Sequence, residues 1–417
     1  MASKRQIFVG SVPIGGGAPV VVQTMTKTET ANVEATMDQI DKVVEAGAEL
    51  VRVAVPRDQD ARALSEIVDR SPIPVIADIH FNHPLALKAI EAGAASIRLN
   101  PGNIGGREKV AEVAELANRK GVPMRIGVNS GSLPKHLHDL EVENPVEALV
   151  EAAVEFVRLM EGLDFTNFKV SIKSTNVPDT IQANRMLSEK IPYPLHLGIT
   201  EAGTRWSGSL KSAVGLGALL ADGIGDTIRV SLSTFHAEEE VKVAWEILKA
   251  LQLREKGPVL IACPTCGRLQ FDMDTVVAEV ERRLEDYEEP IEVAVLGCAV
   301  NGIGEAKHAD FGIAGAKDEG VVFAGGRALK KVPTERLVDE LFDQIDLSLE
   351  RGSVEYDETE AAEGEEWVRK IETENADDLT PEKIARMERE AAEKGESDRV
   401  LLDESDSPTD GRRFTRT

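Results

Sequence analysis

Residues 50–100 read "LVRVAVPRDQDARALSEIVDRSPIPVIADIHFNHPLALKAIEAGAASIRLN": three short apolar runs separated by two amphipathic stretches. The runs are β-branched and apolar on both faces, as suits strands covered on each side, whereas the stretches between them repeat apolar residues at helical spacing. Strand and helix alternating in this way build a parallel sheet. The same alternation extends in both directions. Upstream, "APVVVQTM" precedes "EATMDQIDKVVEAG"; downstream come "REKVAEVAELANRKG", "PMRIGVNSG" with "NPVEALVEAAVEFVRLMEG", and "FKVSIKST" with "TIQANRMLSEKI". The series closes with "PLHLGITEAG" before "LKSAVGLGALLADG", and "TIRVSLS" before "EEEVKVAWEILKAL". Eight units in roughly 250 residues predict a (β/α)8 TIM-like barrel over residues 1–252. A doubly wound open sheet is the competing arrangement, but no G-x-G-x-x-G follows the first strand.

From about residue 256 the rhythm changes to strand "GPVLIAC", helix "FDMDTVVAEVERRLEDY", strand "IEVAVLGC", a Gly-rich hairpin "FGIAGAKDEGVVFAGGRALKKV" and helix "PTERLVDELFDQIDLSL". This predicts a small α+β domain over residues 253–349. Residues 350–417 are acidic and poor in apolar side chains, so they are expected to form a disordered tail that is dispensable for activity.

The chain has 48 Lys and Arg against 73 Asp and Glu, a formal charge of −25, and no basic cluster. That balance argues against a nucleic-acid backbone or an anionic membrane as the main partner. No stretch approaches the roughly 18 apolar residues of a membrane span, and the N-terminus has no signal-like segment, so a cytoplasmic protein is expected.

Polar residues gather where the barrel strands run out into loops, the active face of such barrels. Arg52, Arg98, Arg125 and Arg229 fall in the closing residues of strands, and Lys173 ends the sixth. Any one arginine is readily explained by snorkelling or a nearby carboxylate. Five cations at equivalent places instead suggest a clamp for a diphosphate or polyphosphate. Asp78, His80, Asn100, Asn129, His196 and Glu201 share the rim, as acids, bases, hydroxyl-binding groups or plain loop hydrogen-bonders. Glu201, on a Thr-Glu-Ala-Gly turn, is the candidate proton donor or acceptor.

Three cysteines in 417 residues do not make a disulfide framework. Cys263 and Cys266 stand two apart in "LIACPTCGR", and Cys298 lies in "VLGCAVNGIGEAKHAD". Both sites end apolar strands of the second domain, so they can meet in space. An iron–sulfur cluster, a zinc site needing a distant fourth ligand such as His308, or a redox dithiol each fits this spacing. Glu305, seven residues beyond Cys298, is either a fourth ligand or a solvated loop acid.

The motifs "LIACPTCGR", "VNGIGEA", "LHLGITEAG" and "GIGDTIRVSLS" resemble those of the GcpE family, the 4-hydroxy-3-methylbut-2-enyl diphosphate synthases, over about residues 4–348. The resemblance implies a barrel followed directly by a cluster domain. It also implies a [4Fe-4S] cluster held by Cys263, Cys266, Cys298 and Glu305, and diphosphate binding by Arg52, Arg98, Arg125, Lys173, Arg229 and Ser231. The implied reaction is reductive conversion of 2-C-methyl-D-erythritol 2,4-cyclodiphosphate to 4-hydroxy-3-methylbut-2-enyl diphosphate. Glu201 would serve as proton donor. Reduced flavodoxin or ferredoxin would supply electrons, since the chain has no flavin or nicotinamide fingerprint. The family also implies a homodimer in which each cluster domain caps the other chain's barrel. One departure is Ile303, where the family usually has proline. The competing expectation is a redox-neutral barrel enzyme acting on a phosphorylated or pterin-like substrate, with zinc in its accessory domain.

Overall fold

A computed structural model describes residues 3–79, 82–99, 106–130, 133–264, 269, 271–297 and 306–378, with side chains as far as Ile371. The chain divides into two compact units, Met1–Lys256 and Gly257–Thr417.

The first unit opens with an antiparallel hairpin, β1 (Gln6–Val9) and β2 (Val12–Gly15). Eight strands follow: β3 (Val21–Met25), β4 (Leu50–Ala54), β5 (Val75–Asp78), β6 (Ser96–Leu99), β7 (Met124–Asn129), β8 (Phe168–Lys173), β9 (His196–Leu197) and β10 (Thr227–Ile228). They are parallel, in the order β8-β7-β6-β5-β4-β3-β10-β9, and a Val170–Leu195 bridge joins the two ends into a closed barrel. Each strand is followed by a helix: α1 (Val33–Glu45), α2 (Asp58–Arg70), α3 (His83–Glu91), α4 (Arg107–Lys120), α5 (Pro145–Glu161), α6 (Val177–Lys190), α7 (Arg205–Ala221) and α8 (Ala237–Ala250). Three of these helices begin at an asparagine cap, Asn32, Asn144 or Asn176. Asn144 accepts from the Glu147 amide ahead of α5, and Asn176 from the Asp179 amide ahead of α6.

Side-chain alternation along the strands sorts the interior from the shell. Val51, Val53, Val55, Ile126, Val128, Phe168, Val170 and Ile172 join the helices in one large apolar core. On the opposite face, Val21, Leu50 and Ile76 pack against Ile7, Val9 and Ile14, so the hairpin plugs the barrel floor. Above that floor the inward positions are polar: Gln23, Ser96, Lys169, Ser171 and Thr227 are all buried. The strands read as apolar because their outward positions carry the Val and Ile; the filled apolar interior usual in such barrels stops at the first layer.

The second unit is a five-stranded sheet of β11 (Val259–Ala262), β12 (Glu292–Leu296), β13 (Phe311–Gly315), β14 (Glu319–Ala324) and β15 (Arg327–Pro333), in that order. The first three strands are parallel and the last three antiparallel to one another. Helices α9 (Met273–Leu284) and α10 (Leu337–Arg351) cover one face, packing on Val293, Val295, Ile313 and Val322.

The other face, lined by Ala294, Leu296, Ala314, Val321, Phe323 and Ala328, is covered by Trp367 and Val368 of α11 (Glu358–Asp378). This revises the expectation that disorder starts at residue 350. The apolar residues of this acidic stretch are few, but Ala361, Gly364, Trp367, Val368 and Ile371 fall on one helical stripe. Contact is close: a Cβ on Gly364 would stand 2.9 Å from the Ala328 Cβ. Arg327 pairs with Glu358 at 2.7 Å and Lys330 with Glu360 at 3.7 Å along the helix flank. Packing of the second unit therefore continues into α11. A chain ending after Asp378 is expected to melt like the full chain, whereas one ending after Leu349 loses about 5 °C or more, as buried Trp and Val are stripped from the sheet. Equal melting curves for the two truncations would contradict this packing.

Candidate active site

Arg52 on β4, Arg98 on β6, Arg125 on β7, Lys173 on β8 and Arg229 just after β10 take inward positions of the barrel. Asp78 on β5 sits between Arg52 on β4, at 3.5 Å, and Arg98 on β6, at 3.3 Å. Arg52 also reaches the Met25 sulfur at 2.9 Å. Across the barrel the imidazole Nε2 of His196 on β9 lies 3.2 Å from the Lys173 Nζ and 3.4 Å from an Arg125 guanidinium nitrogen. Arg229, directly after β10, is 3.7 Å from Glu240 on α8.

The expected clamp residues are thus brought together, but deeper than a rim. Arg125 is the second residue of β7 rather than a closing one, and is 3% exposed; His196 is fully buried within the barrel. Two glycines make the space. A Cβ on Gly127 would stand 3.2 Å from the Arg98 Nε, and one on Gly198 would collide with the Lys173 ammonium. Asn129 ends β7 and Ser231 lies two residues past Arg229, both half-buried. Glu201 is exposed in the turn after β9, with a left-handed φ of 50° that non-glycine residues seldom adopt. His80 and Asn100 lie outside the described residues.

Glu240 escaped the sequence reading. Buried at the start of α8, it accepts from the Leu232 amide at 2.9 Å, Lys27 at 2.6 Å and the Thr24 hydroxyl at 3.1 Å, tying the Arg229–Ser231 segment to the barrel. Lys169 was also missed; it lies below the cluster on the Thr227 hydroxyl at 3.2 Å. Its position, four residues before Lys173 on the same strand face, was the available signal.

Arg52, Arg98, Arg125, Lys173 and Arg229 share two carboxylates among the described residues, Asp78 and Glu240, and Glu240 is also bound to Lys27. Positive charge is in excess. Burial, reinforced by the other cations, pushes Arg125 and Lys173 well below their ordinary pKa values. Burial lowers Arg98 too, against the pull of Asp78, and brings Arg229 to about 10. A multiply charged anion among these groups relieves the repulsion that burial intensifies.

In the second unit Cys263 follows β11. Its amide donates to the Val295 carbonyl at 3.1 Å, and its sulfur accepts from the Gly297 amide at 3.1 Å. Cys298 is the next residue in sequence, so adjacent parallel strands each lead into a cysteine. An amide aimed at a sulfur stabilises a thiolate and tunes a metal bound to it. This donor set fits an iron–sulfur group. Cys266, Cys298 and Glu305 lie outside the described residues, and His308 is exposed.

Fold and site together define a (β/α)8 barrel with a cluster of cations sunk in its interior, followed by a mixed α/β unit that carries a thiol at a strand end. The GcpE TIM-barrel domain matches residues 4–245 and the GcpE protein C-terminal domain residues 259–347. The 4-hydroxy-3-methylbut-2-en-1-yl diphosphate synthase (flavodoxin) of Geobacter sulfurreducens is 53% identical over 345 residues, covering 83% of this chain and 98% of that protein. The enzyme of the same name from a Sulfurihydrogenibium species is 50% identical, covering 82% and 96%. Yersinia pestis dihydropteroate synthase, at 15% identity and a TM-score of 0.43 over 60% of this chain and 98% of that one, is too distant to bear on function. The chain belongs to the GcpE family of 4-hydroxy-3-methylbut-2-en-1-yl diphosphate synthases.

Proposed function

We propose that the protein converts 2-C-methyl-D-erythritol 2,4-cyclodiphosphate to 4-hydroxy-3-methylbut-2-enyl diphosphate. The ring opens, one hydroxyl oxygen leaves as water, and two electrons enter from an external donor, reduced flavodoxin or ferredoxin. The observation that carries this reading is the inward-facing cluster of buried Arg52, Arg98, Arg125 and Lys173 with the partly buried Arg229, within a chain of this family. These side chains hold the diphosphate, with Ser231, Asn129 and Asn100 as further donors, and so fix the carbon skeleton. Asp78 orients two of the arginines. Glu201 donates a proton to the departing oxygen.

A [4Fe-4S] cluster on Cys263, Cys266, Cys298 and Glu305 would supply the electrons and a Lewis-acidic iron. The Gly297 amide on the Cys263 sulfur supports that assignment. A homodimer in which the barrel of one chain is served by the cluster domain of the other is part of the same proposal. Arg254 bonds the Val20 carbonyl at 2.7 Å, below the first strand, so the chain leaves the barrel at its floor, opposite the cations. A cytoplasmic location follows from the reducing conditions free cysteines and such a cluster require. No helix among the described residues is long and apolar enough to cross a membrane.

Metal content separates this reading from a zinc-bearing, redox-neutral enzyme. Protein purified without oxygen is expected to be brown, absorbing near about 400 nm, with iron and sulfide in equal amounts. Colourless protein that is fully active with zinc would overturn the proposal.

A further inference from the structure

We propose that His196, as a neutral imidazole carrying its proton on Nδ1, is a positioning residue that holds Lys173 and Arg125 in one arrangement for the diphosphate. The inference rests on the diphosphate reading and assigns the group that keeps two like charges side by side. Ammonium and guanidinium groups have donors only, so a nitrogen lying 3.2 Å from one and 3.4 Å from the other is their common acceptor. The ring proton then sits on Nδ1, which is buried and has no hydrogen-bond partner among the described residues. Burial and the adjacent Arg125 and Lys173 also drive the imidazole pKa well below its ordinary value, which keeps the ring uncharged.

The two sides of the receptor are built differently. Between Arg52 and Arg98 stands a carboxylate, Asp78, which cancels a charge as it orients them. Between Lys173 and Arg125 stands an imidazole, which orients both and cancels nothing, so positive charge on this side remains for the anion. The ring is enclosed and its backbone is held on both sides. Its backbone pairs with Thr227 of β10, its neighbour Leu195 bridges to Val170, and its side chain is fully buried. The next inward position is Gly198, where any side chain would strike the Lys173 ammonium. Lys173 is therefore seated between the His196 ring and the bare Gly198 backbone.

The test is calorimetric binding of inorganic pyrophosphate to the full chain and to His196→Leu, His196→Gln and Arg98→Ala. Leucine removes the acceptor, whereas the glutamine side-chain oxygen reaches about the same point as Nε2. His196→Leu is expected to weaken pyrophosphate about tenfold or more, and His196→Gln by no more than about threefold, with melting temperatures alike. Unchanged affinity in His196→Leu, or equal loss in both His196 variants, overturns the role of His196. If Arg98→Ala loses affinity while His196→Leu does not, only this inference falls. If Arg98→Ala binds as the unaltered chain does, the diphosphate reading falls and takes the inference with it. Should His196→Leu fail to fold, nitrogen NMR of histidine-labelled full chain decides: a neutral ring protonated on Nδ1 between about pH 6 and 8 supports the proposal, and an imidazolium or an Nε2–H ring overturns it.

Discussion

Glu305→Ala is expected to keep most of its iron while turnover falls by about a hundredfold or more, the scale of losing a group that acts near the transition state. Replacing Cys263, Cys266 or Cys298 by serine is expected to lose the iron itself. The contrast follows from ligand chemistry. Thiolates are soft, strong ligands that hold an iron–sulfur cluster together, whereas a carboxylate is harder and more readily displaced. On the proposed cluster, Glu305 would therefore suit an iron that has to accept a substrate oxygen. The protein treats its sulfurs accordingly, aiming the Gly297 amide at Cys263 from the residue just before Cys298. Glu305→Asp should fall between, since the ligand type survives with a shorter reach. Ile303 in place of the family's usual proline leaves the flanking Gly302 and Gly304 and the acid intact. Iron content and rate, measured on the same preparation, check the assignment. Full iron with a near-normal rate in Glu305→Ala would return Glu305 to the role of a solvated loop acid.

Mixing two inactive proteins should restore activity on the proposed assembly. Arg98→Ala disables the barrel receptor and Cys298→Ser the cluster, so each homodimer is dead at both sites. A heterodimer of the two has one site with an intact barrel from one chain and an intact cluster from the other. Up to about half of the sites in such heterodimers are expected to turn over, against a background of almost none, because the two losses act as units rather than by degrees. Heterodimers that demonstrably form and remain inactive would show that each site is built within one chain.

How much of this was legible in the sequence depends on which face of an element carried the signal. The eight barrel units were readable because "VRVAV", "VSI" and their counterparts place Val and Ile on the faces that meet the helices, and Asn144 and Asn176 mark helix starts with side chains that bond the first turn. The polar interior was hidden by the same pattern. Lys169 and Ser171 alternate with Phe168, Val170 and Ile172, and a strand judged by its overall hydropathy conceals what points inward. The floor plug β1–β2 was missed because four-residue strands carry too little periodicity. Helix α11 was missed for a related reason: Trp367 and Val368 are diluted among glutamates that solvate its outer face, so composition argued for disorder while spacing argued for a packed helix. The convergence of the cations was legible, since residues at matching strand positions have to meet in a barrel; their depth, and Glu240 behind Arg229, required the three-dimensional arrangement.

The proposed reaction is a two-electron reduction of a cyclic diphosphate in the barrel. The most direct measurement is anaerobic incubation of the iron-loaded full chain with 2-C-methyl-D-erythritol 2,4-cyclodiphosphate and a one-electron chemical reductant, following product and reductant together. The expected outcome is 4-hydroxy-3-methylbut-2-enyl diphosphate with two electrons consumed per molecule, and loss of that product in Lys173→Ala. Substrate returned unchanged by a protein that holds its full iron and binds pyrophosphate, or opened without consuming reductant, would contradict it.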